Sequence, residues 1–356
     1  DFERAGLGLS EQDGAKLQSL LEQDAAVCSE YGANLSQDTT KLFFSPQELE
    51  GCGDDFIKQR LLAGKDEDDN DGKCTVTLKY PDIIPIGSNC VVAETRRKVA
   101  QAREGVLAYN NNLELVAQGI SLRKEIAAML GYSSWAAYIC SQRMSGSFQA
   151  VDDFLTDLHD QLKTAGQENY DTLLDLKKKH YMEELKIGNF DGKLNAWDTG
   201  FYNNLLLKTK YGVDAEKIKE YFPLDHVVQV TLDIYQELLS LVFTELPAGT
   251  FWSWHNQVRC FRVNDASSKQ KIGHFYLDLH PREGKYGHAA IFHLVKRNGN
   301  QGAVDCMLCN LPASTAAGPA LLRHQNVVTF FHEFGHIMHG LLSEGTGNST
   351  RLAKCP

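Results

Sequence analysis

Most of the first 245 residues show the spacing of amphipathic helices. The clearest example is the segment 151–162, in which apolar residues recur every three or four positions. These apolar residues are Val151, Phe154, Leu155, Leu158 and Leu162. Because residues at this spacing share one face of an α-helix, the segment is predicted to be a helix with an apolar face.

A second long helix is predicted over residues 93–130. Gly131 follows it, and glycine readily adopts the left-handed conformation in which helices commonly end. Ser133 or Ser134 can then cap the next helix, in SSWAAYI, because a serine oxygen accepts a hydrogen bond from a free helical N–H. Residues 1–245 are therefore predicted to form a mainly helical region.

The pattern changes after LPAGT at 246–250. In HFYLDLHP, Phe275, Leu277 and Leu279 alternate with Tyr276 and Asp278, and a period of two is typical of a half-buried strand. Further strand candidates are 258–264, 288–296 and 302–310, and a final long helix is predicted at about 319–343.

These elements predict a predominantly α-helical fold with a small β-sheet beside the last helix. Residues 246–356 form the second predicted domain, which holds the sheet and that helix. The length of 356 residues and the hydrophobic content of 43% are sufficient for a substantial core.

Composition narrows the classes of partner. The formal net charge of −10 disfavours nucleic acid and anionic membranes, and the acidic run DEDDNDGK at 66–73 is typical of a solvated loop. The apolar runs are shorter than the roughly 18 to 20 residues of a membrane-spanning helix. Nine irregularly spaced cysteines favour reduced thiols. We expect a monomer in the cytosol.

The last predicted helix contains FFHEFGHIMHGLL. His332 and His336 lie one helical turn apart, so both imidazoles can reach one metal ion, and Glu333 lies about 100° around the axis. This is the geometry of zinc peptidases, in which the metal activates water and the glutamate transfers its proton to the leaving amine. The alternative is a chance motif, or a buried histidine pair with a purely structural role.

A catalytic zinc usually has three protein ligands, and the chain offers no obvious third. His339 lies about 10 Å along the axis from His332, because a helix rises about 1.5 Å per residue, so one ion cannot bind both on a straight helix. The pattern HExxHxxGxxH would need glycine at His339 and histidine at Leu342, so the metzincin arrangement is excluded.

Cys306 and Cys309, in CMLC, form a weaker candidate for a metal or redox site. The surrounding AVDCMLCNL reads as a strand, in which positions three apart face opposite sides. We therefore expect these cysteines to pack in the sheet.

Blocks of sequence spread along the whole chain resemble the thimet oligopeptidase, neurolysin and saccharolysin family of zinc peptidases. They are NLSQDTT, VTLKYPD, VAETRRKV, AWDTGFYNN, EYFPLDHV, FYLDLHPREGKYGHAA and FFHEFGHIMHGL, in the order of that family. The resemblance implies two mainly helical lobes around a deep channel, with one Zn²⁺ at its floor and short unfolded peptides as substrates.

The same resemblance implies roles for individual residues. His332 and His336 would be zinc ligands and Glu333 the catalytic base. In zinc peptidases an edge strand near the metal binds the substrate main chain by strand addition, and we assign this role to Gly287, His288, Ala289 and Ala290. The alternative for that segment is an ordinary sheet strand.

The resemblance also implies a third zinc ligand, a glutamate on the following helix, which we expect beyond Pro356. The turn-like EGTGNST at 344–350 would end one helix and lead toward another. The chain would then be the middle of such an enzyme, truncated at both ends and inactive alone. The competing hypotheses are a noncatalytic peptide- or metal-binding module and thiol redox chemistry at CMLC.

Overall fold

The computed structural model describes residues 2–63, 72–186, 190–297, 301–314 and 318–343. The helices are α1 Glu11–Ser36, α2 Asp54–Ala63, α3 Tyr80–Asn89, α4 Ala93–Gly105, α5 Asn112–Met129, α6 Trp135–Cys140, α7 Phe148–Lys179, α8 Ala196–Tyr211, α9 Ala215–Ile218, α10 Leu224–Leu239 and α11 His324–Leu342. The strands are β1 Lys41–Phe44, β2 Cys74–Thr77, β3 Leu241–Glu245, β4 Arg259–Asp265, β5 Lys271–Asp278, β6 Ala290–Val295 and β7 Ala303–Leu308. The predicted fold class, mainly helical with a small sheet, is confirmed.

The chain divides into two compact units. The first contains Asp1–Leu78 and Pro85–Leu206, and the second contains Lys79–Ile84 and Leu207–Pro356. The second unit thus includes α10 as well as the sheet and α11. The division at residue 245 stays a prediction about domains.

The helices of the first unit are fixed by an apolar core and a buried ion cluster. Leu17, Leu20 and Val27 of α1 pack in one cluster with Leu115, Leu122 and Ile126 of α5. Asp198 of α8 accepts hydrogen bonds from Arg96 at 2.8 Å and Lys177 at 3.0 Å, and all three side chains are buried. Buried charges are tolerated when each is paired, as these are.

The single helix predicted over 93–130 is wrong. α4 ends at Gly105, and Asn110 then adopts the left-handed conformation with φ 52° before α5 begins. Asparagine tolerates this conformation, and the Asn110 side chain donates a hydrogen bond to Asn34 Oδ1 at 3.3 Å. The predicted stop at Gly131 is confirmed by its φ of 81°. Ser134 caps α6, because its Oγ accepts a hydrogen bond from the backbone of Ala137.

The helix predicted over 151–162 is confirmed as part of α7, but its apolar face is exposed in the first unit. The side chains of Phe154, Leu155 and Leu162 are 64%, 56% and 56% exposed. Further along the helix, Leu173 is buried. Periodicity therefore predicted the helix but not what contacts its apolar face.

The second unit contains a five-stranded sheet with the order β3-β4-β5-β7-β6. β5 and β7 are parallel, whereas all other neighbouring strands of this sheet are antiparallel. The four predicted strand segments are confirmed as β4, β5, β6 and β7. β3 was missed because it directly follows α10, and the β1–β2 pair of the first unit was missed as well.

α11 lies on this sheet. Phe334 packs edge-on against Phe275 of β5, with ring centres 5.3 Å apart, and contacts Phe243 of β3 in the same way at 6.0 Å. Phe330, Ile337 and Leu341 extend the same buried face of the helix. The orientation of α11 is therefore set by its apolar face, which leaves the opposite face for polar side chains.

α11 begins at His324 rather than near residue 319. The backbone before it is extended, because the carbonyl of Ala320 accepts a hydrogen bond from Leu224 and the N–H of Leu322 donates to Phe222. Asn326 then accepts a hydrogen bond from the backbone N–H of Arg323 at 3.1 Å. These contacts are distant in sequence, so the helix pattern could not predict them.

Three further predictions concern membrane-spanning helices, two polar segments and the state of the cysteines. Among the described helices, none is long and apolar enough to cross a membrane. Most of the acidic run at 66–73, and the whole of the turn at 344–350, lie outside the described residues. The eight cysteines that the structure describes are free thiols.

Candidate metal and peptide-binding site

His332 and His336 lie together on the polar face of α11. Their Nε2 atoms are 3.2 Å apart, and the ring planes meet at 83°. Two nitrogens bound to one tetrahedral zinc at about 2.0–2.1 Å would be about 3.3 Å apart. The separation fits a hydrogen bond between the two imidazoles, and it also fits a pair of ligands to one metal ion.

Glu333 lies between the two histidines in the sequence of α11. Its negative charge contributes to raising the pKa of the buried Cys309 thiol to about 12, although burial is the main cause. The Glu333 side chain itself is only half-buried. The carboxylate is thus on the same helix as the histidine pair and partly accessible.

His339 is exposed, and α11 is a continuous helix from His324 to Leu342. Over seven residues such a helix rises about 10 Å, so His339 does not reach an ion held by His332. Among the described residues, no group of three or more histidine, cysteine or acidic side chains could hold a metal ion. The described site is therefore a pair of histidines with a glutamate between them in the sequence.

Cys306 and Cys309 are packed in the sheet, as predicted. They are 1% and 2% exposed, and burial raises the pKa of each thiol to about 12. Such thiols are almost entirely protonated at neutral pH, and it is the thiolate that binds metals and reacts. The burial of these residues does not favour a redox or metal site at CMLC.

A buried ion cluster fixes the loop that follows β5. Asp278, 1% exposed, accepts two hydrogen bonds from Arg282 at 2.7 and 2.8 Å and one from Trp254 at 2.8 Å. Although burial alone would raise it, the pKa of Asp278 is lowered to about 2 by these donors and by Lys285. The carboxylate is therefore ionised at neutral pH.

Lys285 connects this loop to β7. Its Nζ lies 2.8 Å from Asp278 Oδ1, 2.7 Å from the carbonyl of His280 and 2.6 Å from the carbonyl of Cys309. Burial lowers the pKa of Lys285, while Asp278 acts in the opposite direction. Lys285 thus positions the loop beside the end of β7 near Glu333.

The predicted substrate-binding residues lie at the entrance to β6. Gly287, His288 and Ala289 precede the strand, and Ala290 is its first residue. The side chain of Asn310 donates hydrogen bonds to the carbonyls of Tyr286 and His288. These two carbonyls are therefore partly occupied, whereas β6 is an edge strand whose other side has no strand partner among the described residues.

One buried carboxylate in the site lacks a full set of partners. Asp305 of β7 is 1% exposed, and its Oδ1 lies 2.7 Å from Nδ1 of His293 on β6. Among the described residues, no partner is found for Asp305 Oδ2. This oxygen lies against Gly340 of α11, in the space that a Cβ at position 340 would occupy.

Comparison with known proteins identifies the family. A family model described as peptidase family M3 matches residues 88–353. The chain belongs to peptidase family M3. The family resemblance inferred from the sequence blocks is thereby confirmed.

Curated relatives agree with membership of family M3. The chain is 37% identical over 371 residues to the thimet-like oligopeptidase of Dictyostelium discoideum, covering 100% of this chain and 54% of the relative. It is 33% identical over 353 residues to saccharolysin of Saccharomyces cerevisiae, covering 97% and 49%. It is 26% identical over 358 residues to oligopeptidase A of Escherichia coli, covering 96% and 51%. The chain thus spans about half the length of these family M3 relatives.

Sequence patterns found the histidine pair and Glu333 on α11 but missed Asp278, Lys285, His293 and Asp305. Each of these side chains acquires its neighbours from another strand or loop. A usable signal existed in two of them, since Asp278 and Asp305 interrupt otherwise apolar strand segments. A charge at such a position indicates a partner elsewhere in the fold.

Proposed function

We propose that this chain supplies part of a zinc metalloendopeptidase that hydrolyses short unfolded peptides. The main support is the 3.2 Å separation of the two Nε2 atoms on α11, with Glu333 beside them. Membership of a peptidase family and relatives named oligopeptidases support the same reaction class.

In this proposal the chain's own residues have separate tasks. His332 and His336 hold one zinc ion, which when bound polarises the scissile carbonyl and makes water more acidic. Glu333 accepts a proton from the attacking water and donates it to the leaving amine. Glu333 is half-buried and is the one acidic residue of α11. This position suits a base that does not itself bind the metal.

The third zinc ligand comes from outside the described residues. Two imidazoles leave a tetrahedral ion with two open positions, whereas catalytic zinc sites usually keep only one. A glutamate beyond Pro356, which the family resemblance implies, would complete the site. It would also balance part of the positive charge of the ion.

The substrate main chain binds along the free edge of β6. An edge strand offers unpaired N–H and C=O groups to an extended peptide. Gly287, His288, Ala289 and Ala290 form the entry to this edge. Because this edge binds only an extended chain, it favours short unfolded peptides over folded proteins. This is the substrate class that the resemblance implies.

The variant Glu333→Gln tests the proposed base. An amide cannot accept the proton of water, so hydrolysis of a ten-residue peptide by the complete gene product should fall by about 10²- to 10⁴-fold. Zinc content, measured by mass spectrometry of the metal, should remain at the parent level because both histidines are retained.

The matched control is Glu237→Gln, a substitution of the same kind at an exposed position on α10. It should keep the parent's activity and zinc content. If Glu333→Gln retained most of its turnover, Glu333 would be only a neighbour of the site. Activity that survived thorough chelation and dialysis would refute the zinc assignment.

A further inference from the structure

His293 stands on the free-edge strand β6 and faces the metal-binding helix. Its ring lies against α11, since a Cβ built on Gly340 would be 2.9 Å from His293 Cε1 and 3.0 Å from Nδ1. The neighbouring Phe292 faces the other side of the sheet, where it packs edge-on against Tyr286. His293 is therefore the polar side chain of β6, and it lies on the face of the sheet that packs against α11.

The buried Asp305 fixes the orientation of this imidazole. The Nδ1–Oδ1 distance is 2.7 Å, and the carboxylate is 1% exposed while the imidazole side chain is 32% exposed. With Nδ1 bonded to the carboxylate, Nε2 points away from it, and no hydrogen bond of Nε2 to a described residue is found. One nitrogen is thus held by the core, and the other is open to a bound molecule.

The environment of Asp305 bears on which nitrogen of His293 carries a hydrogen. No described donor other than His293 approaches Asp305, and its Oδ2 has no partner among them. Burial raises the pKa of Asp305, and a proton shared between Oδ1 and Nδ1 leaves the second ring hydrogen on Nε2. The absence of a side chain at Gly340 is what leaves room for this pair beneath α11.

A peptide added to the edge of β6 would bring one of its side chains next to His293. Directly opposite residues on antiparallel strands have Cβ atoms about 4.5–5.5 Å apart, and successive side chains face opposite sides. The pairing of β6 with β7 also shifts between His293 and Val295, and such irregularities re-aim side chains at the edge of a sheet.

We propose that His293 is a specificity-determining residue, whose Nε2–H binds a carboxylate on the substrate side chain that lies opposite it. The favoured side chain is glutamate or aspartate at a single position of the bound peptide. This inference rests on the proposed function, since it requires a peptide along β6.

A positional scan tests this subsite. In a neutral ten-residue peptide, one glutamate is moved along the positions around the cleaved bond, and each peptide is paired with its glutamine analogue. The complete gene product should show a Glu/Gln ratio of kcat/KM of about five at one position and close to one at its immediate neighbours. A ratio below two at every position would overturn the proposal.

Two substitutions then assign the preference to Nε2. His293→Asn keeps a donor near the place of Nδ1 for Asp305 but has no atom at Nε2, whereas His293→Gln places a neutral amide near Nε2. His293→Asn should reduce the ratio to about one, whereas His293→Gln, which keeps an N–H donor near the place of Nε2, should retain part of it. Phe292→Leu, on the opposite face of β6, should keep the parent ratio, and thermal unfolding would verify that each variant is folded.

The outcomes separate this proposal from the proposed function. A ratio that persists in both His293 variants would overturn the subsite while leaving peptide hydrolysis intact. Failure to cleave the neutral peptides at all would overturn the proposed function, and the subsite with it. Because the ratio is measured within each variant, a general loss of activity does not imitate the expected result.

Discussion

Two buried thiols, Cys306 and Cys309, lie at the end of β7 next to the ion cluster of Asp278. Cys309 is 2% exposed and lies near Glu333, and its carbonyl accepts a hydrogen bond from Lys285. The backbone here thus connects the loop after β5 to the end of β7. The thiols themselves belong to the apolar interior rather than to the reaction.

Alkylation of the folded protein tests this assignment. With a pKa of about 12, Cys306 and Cys309 would be ionised to only about one part in 10⁴ at pH 8, and alkylation requires the thiolate. Iodoacetamide at pH 8 should therefore leave both unlabelled in native protein, as read by peptide mass spectrometry.

The exposed Cys28 of α1 is the internal control, and it should be labelled under the same conditions. Denaturation in guanidinium should make all three thiols reactive. Labelling of Cys309 at the rate of Cys28 would mean that this part of the sheet opens readily.

At the scale of single residues, the sequence was sufficient to predict the side-chain directions of one helical motif. The order of His332, Glu333 and His336 fixes their directions once the segment is helical, because the helix repeat is constant. Lys285 could not be assigned in the same way. Its partners Asp278 and Cys309 come from two strands that become neighbours only in the folded sheet.

Among the elements, α11 depends on two glycines in different ways. A Cβ at Gly340 would overlap Asp305 Oδ2, whereas a Cβ at Gly335 would only touch Tyr235 Oη at 3.5 Å. The first glycine is thus required for close packing against β6 and β7. The second has room for a methyl group, which would make an ordinary contact with Tyr235.

The variants Gly340→Ala and Gly335→Ala should therefore change the free energy of unfolding in opposite directions. In a helix interior alanine is favoured over glycine by about 1 kcal/mol, so Gly335→Ala should stabilise the fold by up to that amount. Gly340→Ala should instead lower the free energy of unfolding by about 1–3 kcal/mol, because the buried carboxylate must move.

Urea denaturation of both variants and the parent protein measures this difference. Equal stabilisation by the two alanines would show that Asp305 and His293 do not pack against Gly340 as described. Asp305→Ala in the Gly340→Ala background provides a further check, since removing the carboxylate should relieve part of the overlap.

Helices and strands with a clear hydrophobic period were predicted, but the positions of their ends were predicted less accurately. The five residues before α11 are extended because they bond to 222–224 across the second unit. The break after α4 depends on the conformation of Asn110, beside Asn34 of α1. In both cases, contacts distant in sequence override the local pattern.

At the scale of the whole molecule, the chain spans about half the length of its curated relatives. Among the described residues, the candidate metal site consists of the histidine pair on α11, with no group of three or more metal-binding side chains. The two lobes and the channel implied by the resemblance stay predictions, as do the cytosolic location and the monomeric state.

We expect residues 1–356 alone to bind zinc weakly and to lack peptidase activity. Two imidazoles and water hold the ion without the charge of a third protein ligand. A longer polypeptide that continues past Pro356 to the length of the relatives should bind zinc tightly and hydrolyse short peptides. Isothermal titration with zinc and a fluorogenic peptide assay, applied to both polypeptides, make the comparison. Tight zinc binding and full activity in the shorter one would show that it already contains the third ligand.

The free edge of β6 has a second consequence, which concerns self-association. An edge open to an extended peptide is equally open to a strand from another copy of the protein, and such edges are frequent starting points of aggregation. Phe292 and Leu294, 41% and 50% exposed, would add apolar attraction to such a pairing. The irregular pairing at His293–Val295 and the positive charges of Lys296 and Arg297 just beyond it limit the regular edge to a few residues. Under the proposed function, the same strand is regular enough to bind a short peptide and too short to recruit a growing sheet.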